Sequence, residues 1–548
     1  MPMAFAGCRE LGKSGCRLPV AGCCSISPML RHLKRFALLV SLFSISLLAQ
    51  TAGPLRFEIS VDPALSPSGI SGRLIIFMTN SPQALEILGR HFGEPDGAKT
   101  WAAAREIPHI SAGETVEVDP DEIAYPEGLS KAPAGDYQVM ALLDVDHNAA
   151  YHTFSDSDLR SAVVPLKGIN PAQAGPVKLK LTMHVPPTAP IRLTKNEESI
   201  DFESPSLSKF WGRSIHMRGV VVLPPKYETS KERFPTVYVT HGFGGDLRSL
   251  LREGGELVQE MSSGNLPPMI YVLLDESCPG GTHEFADSVN NGPWGHALTT
   301  ELIPHLESRY RMDAKPTGRF LTGHSSGGWA TMWMQVAYPK IFGGTWSTSP
   351  DPVDFRDFTN IDLTKDTNVY KEPDGKPTPL VRMDGKNVMS FEAYARQEAV
   401  LGTYGGQISS FDWVFSPRGD SGRPMPMFDR TTGEIHRDVA DYWLKHYDIA
   451  RILTDNAKQL APELKNKIHI IVGTADTFYL DGAVHLLEQR IVNLGYNAKF
   501  TYLPGRTHFD LYQGGLETRI AKQMYDAARP GNAWLPARAP AAATELAK

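Results

Sequence analysis

Cysteine is scarce in this 548-residue chain, and its distribution excludes a disulfide framework. Four of the five cysteines lie before Met29, at Cys8, Cys16, Cys23 and Cys24. Cys278 is alone in the remainder, and a single thiol cannot form an internal bridge. No disulfide framework is therefore expected in the part of the chain after Met29.

Other features are also absent, and each absence excludes a class of function. No basic block appears in a chain whose formal net charge is −6, so a nucleic-acid partner is not expected. No His/Cys/Asp/Glu spacing indicates a zinc site, and no glycine loop with Lys-Ser/Thr indicates nucleotide binding. No cofactor or metal is therefore expected. With 42% hydrophobic and 21% charged residues, the composition predicts a globular protein of two or more domains.

Residues 1–53 are interpreted as an N-terminal extension and a signal peptide, with Met29 as the start. Basic residues come first, at Arg31, Lys34 and Arg35. A 13-residue apolar segment, residues 36–48, follows them and leads into small residues. This pattern predicts a secretory signal peptide at about residues 29–52, because a membrane span needs ~20 apolar residues. The mature protein is expected to be periplasmic or secreted, without a stable membrane span.

Residues 54–185 are expected to form a β-rich, sandwich-like accessory domain, since short apolar or alternating segments are separated by turn residues. Within it, residues 144–148 begin like a calcium loop. The sixth position of that loop is Ala149 rather than glycine, and the twelfth is Ser155 rather than glutamate. An EF-hand is excluded, and the acidic residues predict a solvated turn.

Beyond a proline-rich linker, residues 186–528 alternate strands with helices, which predicts an α/β layer fold with a mostly parallel sheet flanked by helices. Strands are predicted at residues 236–240, 319–322, 468–473 and 499–503, and helices at residues 327–338 and 516–528. A long insertion, at about residues 349–464, interrupts this pattern. The Pro- and Ala-rich tail, residues 529–548, is expected to be disordered.

The sequence Gly323-His324-Ser325-Ser326-Gly327 matches the G-x-S-x-G pattern between a strand and a helix, the context of a nucleophile elbow. Only Ser325 has a glycine two residues before it and two residues after it. Ser325 is therefore the candidate nucleophile, and Ser326 is predicted to contribute its backbone N–H group. The alternative is a tight glycine turn in an unrelated α/β protein.

A serine nucleophile needs a base and an orienting acid, which in α/β-hydrolases follow it in the chain. His508 lies in a turn after the last predicted strand and is the candidate base, whereas His485 lies in a helical pattern. Asp476 follows the predicted strand at residues 468–473 and is the candidate acid. Asp481, near a helix start, remains the alternative.

The oxyanion hole is predicted at a His-Gly turn after an early strand, residues 241–245. The N–H groups of Phe243 and Ser326 are the expected donors, and His241 is expected to make a structural hydrogen bond. Asn290 and Trp294 are candidate substrate-binding residues, with packing in the hydrophobic core as the alternative. Cys278 lacks an elbow and is disfavoured as a nucleophile.

Together these motifs resemble an esterase family that includes esterase D (S-formylglutathione hydrolase), feruloyl esterases and enterochelin-esterase-like proteins. The resemblance covers roughly residues 204–525. It is carried by residues 241–245, 287–295, 301–304, 323–328, 473–476 and 505–509. It implies an α/β-hydrolase fold and a metal-independent carboxylic ester hydrolase, and it supports Phe243 as an oxyanion donor.

The sequence thus predicts an exported serine esterase that acts on a small-molecule or polymer-linked ester. One alternative is an acyltransferase of the same fold, in which an alcohol replaces water. The other is a non-catalytic binding protein, which the filled catalytic positions disfavour. Neither the ester nor the oligomeric state is indicated.

Overall fold

The computed structural model of the chain describes residues 53–82, 99–151, 154–187, 190–532 and 534–535. The predicted signal peptide, residues 29–52, and residues 536–548 of the predicted tail lie outside the described residues. All described residues belong to one compact unit. Among them, no helix is both long enough and apolar enough to cross a membrane.

The first part of the described chain is a β-sheet that folds over its own core. Its strands are β1 (Arg56–Val61), β2 (Ile70–Thr79), β3 (Thr100–Ile110), β4 (Thr115–Val118), β5 (Ala124–Tyr125), β6 (Gly135–Asp144), β7 (Leu159–Ser161), β8 (Val164–Ile169) and β9 (Pro176–His184). Within the described residues they are ordered β4-β1-β9-β7-β6-β2-β3-β5, with β8 paired to β6. Phe57 and Ile59 of β1 share one buried cluster with Leu74 and Ile76 of β2. The sheet therefore encloses a common core, as a sandwich does.

The second sheet is mostly parallel. The later strands are β10 (Glu197–Glu203), β11 (His216–Val222), β12 (Thr236–Thr240), β13 (Ile270–Leu274), β14 (Ser277–Cys278), β15 (Gly281–Thr282), β16 (Asp287–Ser288), β17 (Gly292–Pro293), β18 (Arg319–His324), β19 (Gly344–Thr348), β20 (Pro379–Met383), β21 (Lys386–Ser390), β22 (Ile468–Gly473) and β23 (Lys499–Leu503). The described part of this sheet runs β10-β11-β13-β12-β18-β19-β22-β23. It is antiparallel from β10 to β13 and parallel from there on. This is the predicted α/β-hydrolase sheet, and the carboxyl ends of its parallel strands share one edge.

Helices cover both faces of this sheet. They are α1 (Pro205–Trp211), α2 (Leu247–Ser262), α3 (Trp294–Ala297), α4 (Ile303–Arg309), α5 (Ser326–Ala337), α6 (Phe391–Leu401), α7 (Gln407–Phe415), α8 (Arg437–His446), α9 (Ile449–Asp455), α10 (Ala457–Leu464), α11 (Leu480–Ile491) and α12 (Leu516–Ala528). Leu250 of α2 and Ile520 of α12 pack on one face of β12, through Val237. Met334 of α5 packs on the other face, through Tyr238. The central strand β12 is thus buried on both sides, as is usual for parallel sheets covered by helices.

The insertion lies between β19 and β22 and has its own aromatic core. It contains the hairpin β20–β21 and helices α6 to α10. The rings of Phe355, Phe415 and Trp443 are each at most 1% exposed, and their centroids lie 5.2–6.3 Å apart. The Phe415 ring also lies 4.9 Å from that of Trp329 in α5. The insertion is therefore packed against the helix that follows the predicted nucleophile.

Buried contacts join the β-rich part to the insertion. Arg73 of β2 is only 3% exposed, and its guanidinium donates to the Val400 carbonyl at 3.3 Å and to the Ala399 carbonyl. The Val400 side chain packs in a buried cluster with Ile75 and Phe77 of β2. One face of β2 thus packs in the core of the β-sheet, and the other face packs against the insertion. The domain boundaries predicted from sequence stay a prediction.

The acidic segment at residues 144–148 differs from the predicted solvated turn. Asp144 is fully buried, and its carboxylate accepts the N–H groups of Asn148 at 3.2 Å and Ala149 at 2.9 Å. Asp158 is also fully buried and accepts the Val145 N–H at 2.8 Å. The prediction is wrong for Asp144, because buried N–H groups of a tight loop need acceptors and this carboxylate supplies them.

Two glycines outside the predicted site test how closely the elements pack. A Cβ at Gly255 in α2 would meet nothing within 4 Å, whereas one at Gly219 in β11 would lie 2.2 Å from the Leu273 carbonyl oxygen. Gly255→Ala is expected to raise the free energy of unfolding by about 0.5–1 kcal/mol, through lower chain entropy. Gly219→Ala is expected to lower it by about 1–3 kcal/mol, because a backbone must move. Denaturant unfolding followed by circular dichroism measures both, and equal losses would contradict this packing.

Candidate active site

The candidate nucleophile lies on a strained turn between β18 and α5. Ser325 has φ 60° and ψ −126°, a conformation that residues other than glycine rarely adopt. A Cβ at Gly323 would lie 2.3 Å from the Gly327 carbonyl oxygen, and one at Gly327 would lie 2.4 Å from that of Thr240. The close approach of strand and helix therefore requires both glycines of the G-x-S-x-G pattern.

The two adjacent serines have different surroundings. Ser325 is half-buried, and its N–H donates to the Thr348 carbonyl at 3.1 Å. Ser326 is fully buried, and its hydroxyl donates to Oδ2 of Asp351 at 2.7 Å. The Asp351 N–H donates in turn to the Ser325 carbonyl at 3.2 Å. The Ser326 hydroxyl is thus engaged, while its N–H belongs to the first turn of α5, where helices leave donors without helical partners.

The structure brings His508 and Asp476 together at the carboxyl edge of the sheet. Asp476 follows β22, His508 follows β23, and Nδ1 of His508 lies 3.0 Å from Oδ2 of Asp476. Both side chains are buried. The His508 ring centroid lies 4.3 Å from that of His324, the residue before Ser325. The acid and the base therefore lie beside the strained turn.

His508 lowers the pKa of Asp476. Burial alone would raise this pKa, but the hydrogen bond with His508, the charge of that ring and the hydrogen bonds from Phe478 and Ser349 together outweigh burial. Oδ1 of Asp476 also accepts the Phe478 N–H at 3.0 Å. An ionised carboxylate at this position accepts the Nδ1–H of the imidazole and leaves Nε2 free to take a proton.

Asp481, the alternative acid, lies against a different partner. Its Oδ1 accepts from the Arg382 guanidinium of β20 at 2.7 Å. The same guanidinium donates to the backbone carbonyl of Asp476 at 2.7 Å. The structure thus pairs Asp481 with the insertion and Asp476 with His508. Asp476 lies in the loop after β22 and Asp481 in the first turn of α11, and Arg382 links both to the hairpin β20–β21.

The predicted oxyanion loop lies directly against the nucleophile. A Cβ at Gly242 would lie 3.2 Å from the Cβ of Ser325. Nδ1 of His241 lies 2.8 Å from the Gly242 carbonyl oxygen, which is a structural contact within the loop. Phe243, the predicted donor, is the next residue and is half-buried. Phe243 thus follows directly after the glycine that lies against Ser325, and the use of its N–H group as an oxyanion donor stays a prediction.

The two predicted substrate-binding residues are engaged in packing. Asn290 is fully buried, and its Nδ2 donates to the Ser416 carbonyl at 2.8 Å. The Trp294 ring is buried and stacks on His283, with centroids 3.6 Å apart. Its Nε1 donates to the Asn291 carbonyl at 2.9 Å. Both side chains have structural roles here, and their place in a substrate pocket stays a prediction.

Cys278, considered from sequence as a nucleophile, lies in the hairpin β14–β15. Burial raises the pKa of its thiol to about 12. At neutral pH the group is therefore a thiol, and the thiol is a far weaker nucleophile than the thiolate.

Asp351 is a residue of this site that the motifs did not reveal. It accepts the Ser326 hydroxyl and, at 3.5 Å, a hydrogen bond from the side chain of Gln407 in the insertion. Burial raises its pKa to about 6, although the Ser326 hydrogen bond opposes this. The signal available in the sequence was its place just after a strand beside β18, because carboxyl ends of neighbouring parallel strands meet at one edge.

Comparison with known proteins places these residues within one family. The sequence profile of the family described as "Putative esterase" matches residues 212–514, more than half of the chain. The matched region contains Ser325, Asp476 and His508. The strand order and the turn at Ser325 define the class, the α/β-hydrolases. The chain belongs to the putative esterase family within that class, which confirms the predicted family and fold.

Curated relatives match shorter stretches. The Bacillus subtilis (strain 168) protein YbbA is 29% identical over 144 residues, which are 24% of this chain and 56% of that protein. Esterase Rv1288 of Mycobacterium tuberculosis (strain ATCC 25618 / H37Rv) is 28% identical over 141 residues, 25% of this chain and 30% of that protein. The alignments thus span about half and about a third of these relatives.

Solved structures with similarity to the chain include two esterases. A ferulic acid esterase is 14% identical, with a TM-score of 0.39, and the match covers 62% of this chain and 100% of that one. An S-formylglutathione hydrolase from Agrobacterium tumefaciens is also 14% identical, with a TM-score of 0.36. That match covers 61% of this chain and 95% of the hydrolase.

The opposite pKa shifts of Asp351 and Asp476 predict opposite effects of pH on stability. The raised pKa of Asp351 means that the unfolded chain loses its proton between about pH 4 and pH 6 while the folded chain keeps it, so stability falls across that window. Asp351→Asn removes this penalty, and its melting temperature relative to the unsubstituted protein is expected to rise from about pH 4 to pH 6 and then level off.

Asp476→Asn is the matched control with the opposite sign. The lowered pKa of Asp476 contributes stability above its ordinary value, about 3.8, and this contribution is lost as pH falls through the folded pKa. The relative stability of Asp476→Asn is therefore expected to decrease as pH rises. Thermal unfolding of both variants at several pH values measures this, and shifts of the same sign would contradict the assigned electrostatics.

Proposed function

We propose that this protein is an exported serine esterase that hydrolyses carboxylic esters through an acyl-enzyme on Ser325. The 3.0 Å contact between His508 Nδ1 and Asp476 Oδ2 beside the strained Ser325 turn supports the proposal most directly. A serine hydroxyl is a weak nucleophile unless an adjacent base removes its proton, and that base needs an acid to orient it. Membership of the esterase family supports the same reaction.

In the acylation step, Oγ of Ser325 attacks the ester carbonyl carbon while Nε2 of His508 takes the hydroxyl proton. The carbonyl electron pair moves to oxygen, and a tetrahedral oxyanion forms. The N–H groups of Phe243 and Ser326 donate to this oxygen, and one well-placed donor lowers such a barrier by about 2.7–4 kcal/mol. Ionised Asp476 stabilises the imidazolium at Nδ1.

The tetrahedral intermediate then collapses, and the bond to the alkoxide oxygen breaks. His508 gives its proton to that oxygen, so the leaving group departs as an alcohol. A water molecule next attacks the acyl carbon while Nε2 takes one of its protons. The second intermediate expels Oγ of Ser325, which recovers the proton, and the carboxylic acid is released.

Export rests on the N-terminal sequence. Basic residues between Met29 and residue 35, the apolar segment at residues 36–48 and the small residues after it support cleavage near Ala52. The mass of the protein recovered from the extracytoplasmic fraction of the expressing cells tests this. A mature chain that retains residues 29–52, or one confined to the cytoplasm, would contradict export.

Substitution of the two serines tests the proposed nucleophile. Ser325→Ala is expected to reduce hydrolysis of p-nitrophenyl acetate to a residual level, with a loss in kcat of about a millionfold as for other serine triads. Ser326→Ala is expected to retain much of the activity, because its predicted contribution is a backbone N–H. Steady-state kinetics with circular dichroism as a folding control measures both. The reverse order of effects would show that the other serine is the nucleophile.

The two acids provide the matched control within the same experiment. Asp476→Asn removes the charge at His508 Nδ1 and is expected to lower kcat by about ten-thousandfold. Asp481→Asn alters the contact with Arg382 and is expected to leave most of kcat. A large loss confined to Asp481→Asn would move the acid to that position.

A further inference from the structure

A hydrogen-bonded loop of the β-rich part of the chain contacts the candidate active site. This loop follows β6, and buried Asp144 holds its turn through the N–H groups of Asn148 and Ala149, at 3.2 and 2.9 Å. The Tyr151 N–H donates to the Asn148 carbonyl at 3.0 Å, which closes the turn. The acidic segment that resembles a calcium loop in sequence therefore fixes the position of Tyr151.

Tyr151 contacts the predicted oxyanion loop at several atoms. Its ring packs edge-to-face on the Phe243 ring, with centroids 5.0 Å apart and an interplanar angle of 88°. Its hydroxyl donates to the Gly245 carbonyl at 2.8 Å. A Cβ at Gly244 would lie 3.6 Å from the Tyr151 carbonyl oxygen. Ring, hydroxyl and backbone of one residue thus border residues 243–245.

The same loop also contacts the insertion. A Cβ at Gly405 would lie 3.3 Å from the Cβ of Tyr151, and one at Gly402 would lie 3.6 Å from the Cβ of Ala150. Residues 150–151 therefore contact both the oxyanion loop and the insertion. These contacts restrict movement of the Tyr151 side chain, because close-packed groups transmit displacement to their neighbours.

We propose that Tyr151 is a positioning residue for the oxyanion hole and holds the Phe243 N–H in the orientation that stabilises the oxyanion. This inference rests on the proposed esterase function. Oxyanion donors act at full strength only when the scaffold places them in advance, and a misplacement of about 1 Å can cost a hundredfold in rate. The loop that carries Phe243 contains three glycines at residues 242–245, which restrict the backbone little on their own.

The chemistry of the phenol suits this role. Burial raises the pKa of Tyr151 well above its ordinary value, and the charges of Glu276 and Asp275 raise it further. The group therefore stays a protonated hydroxyl at neutral pH, and it can donate to the Gly245 carbonyl there. Tyr151 is itself buried, so it acts through the loop rather than by contact with the substrate.

Two substitutions of Tyr151 in the full chain separate ring from hydroxyl. Tyr151→Phe keeps the ring packed on Phe243 and removes the bond to Gly245, and kcat is expected to fall by about threefold to tenfold. Tyr151→Ala removes both contacts, and kcat is expected to fall by about tenfold to a hundredfold while KM changes by less than about threefold. A kcat that is higher in Tyr151→Phe than in Tyr151→Ala would show that the ring contributes to positioning of the loop.

Tyr137→Phe is the matched control. Tyr137 lies in the same β-sheet and donates its hydroxyl to a backbone carbonyl, that of Pro133, but it packs on Trp101 in the domain core. Tyr137→Phe removes a hydrogen bond of the same kind, so the free energy of unfolding is expected to fall by only about 1 kcal/mol. Because Tyr137 does not contact residues 243–245, kcat is expected to stay within about twofold.

A second readout reports on the oxyanion hole directly. A trifluoromethyl ketone adds to the active-site serine and forms a stable tetrahedral oxyanion, so its affinity is expected to weaken by about the same factor as kcat/KM in both Tyr151 variants. A fall in kcat without this loss of affinity would overturn the proposal. So would Tyr151 variants that fold and keep kcat within about twofold. If Tyr151→Ala does not fold, Tyr151→Phe decides.

The same measurements distinguish an error in the proposed esterase function from an error in the proposed role of Tyr151. An unsubstituted protein that hydrolyses no ester would contradict the esterase assignment itself. An active protein whose Tyr151 variants match it in kcat and in inhibitor affinity would contradict only the role of Tyr151.

Discussion

The backbone contact between the first turn of α5 and the end of β12 is the constraint on which the site depends. A Cβ at Gly327 would lie 2.4 Å from the Thr240 carbonyl oxygen, so this contact permits no side chain. At this contact Ser325 has a positive φ of 60°, and Gly242, in the loop after β12, lies against Ser325. Were α5 displaced, Gly242 and Ser325 would no longer lie against each other.

Acidic residues of one type acquire different properties around this turn because their neighbours differ. Asp476 has a lowered pKa because His508 offsets the cost of its burial. Burial raises the pKa of Asp351 to about 6, and the hydrogen bond from the neutral Ser326 hydroxyl offsets burial only in part. Asp481 has a guanidinium partner on the insertion. Differences in burial and in partners therefore give these acids different pKa values, and differences of this kind are common in catalytic sites.

Much of the sheet and of the candidate site could be predicted because the physical signals are local. Parallel strands buried on both faces appear as apolar runs, and the bounds of β12 and β22 match the prediction. The bounds of β23 also match, although this edge strand is partly exposed. The elbow is visible because its glycines are sterically required. β10 was missed, since Glu-Glu-Ser-Ile-Asp-Phe-Glu at the edge of the sheet resembles a loop. The bond between Ser326 and Asp351 depends on pairing of β18 with β19, which no local pattern encodes.

The two-sided burial of β2 has an evolutionary consequence. Leu74 and Ile76 belong to the core of the β-sheet, while Ile75 and Phe77 pack with Val400 of the insertion. Neither part can be lost or exchanged alone without exposing an apolar surface that promotes aggregation. The β-sheet and the insertion are therefore expected to be inherited together. Substitutions in the insertion are tolerated only where its side chains still pack on the face of β2 that carries Ile75 and Phe77.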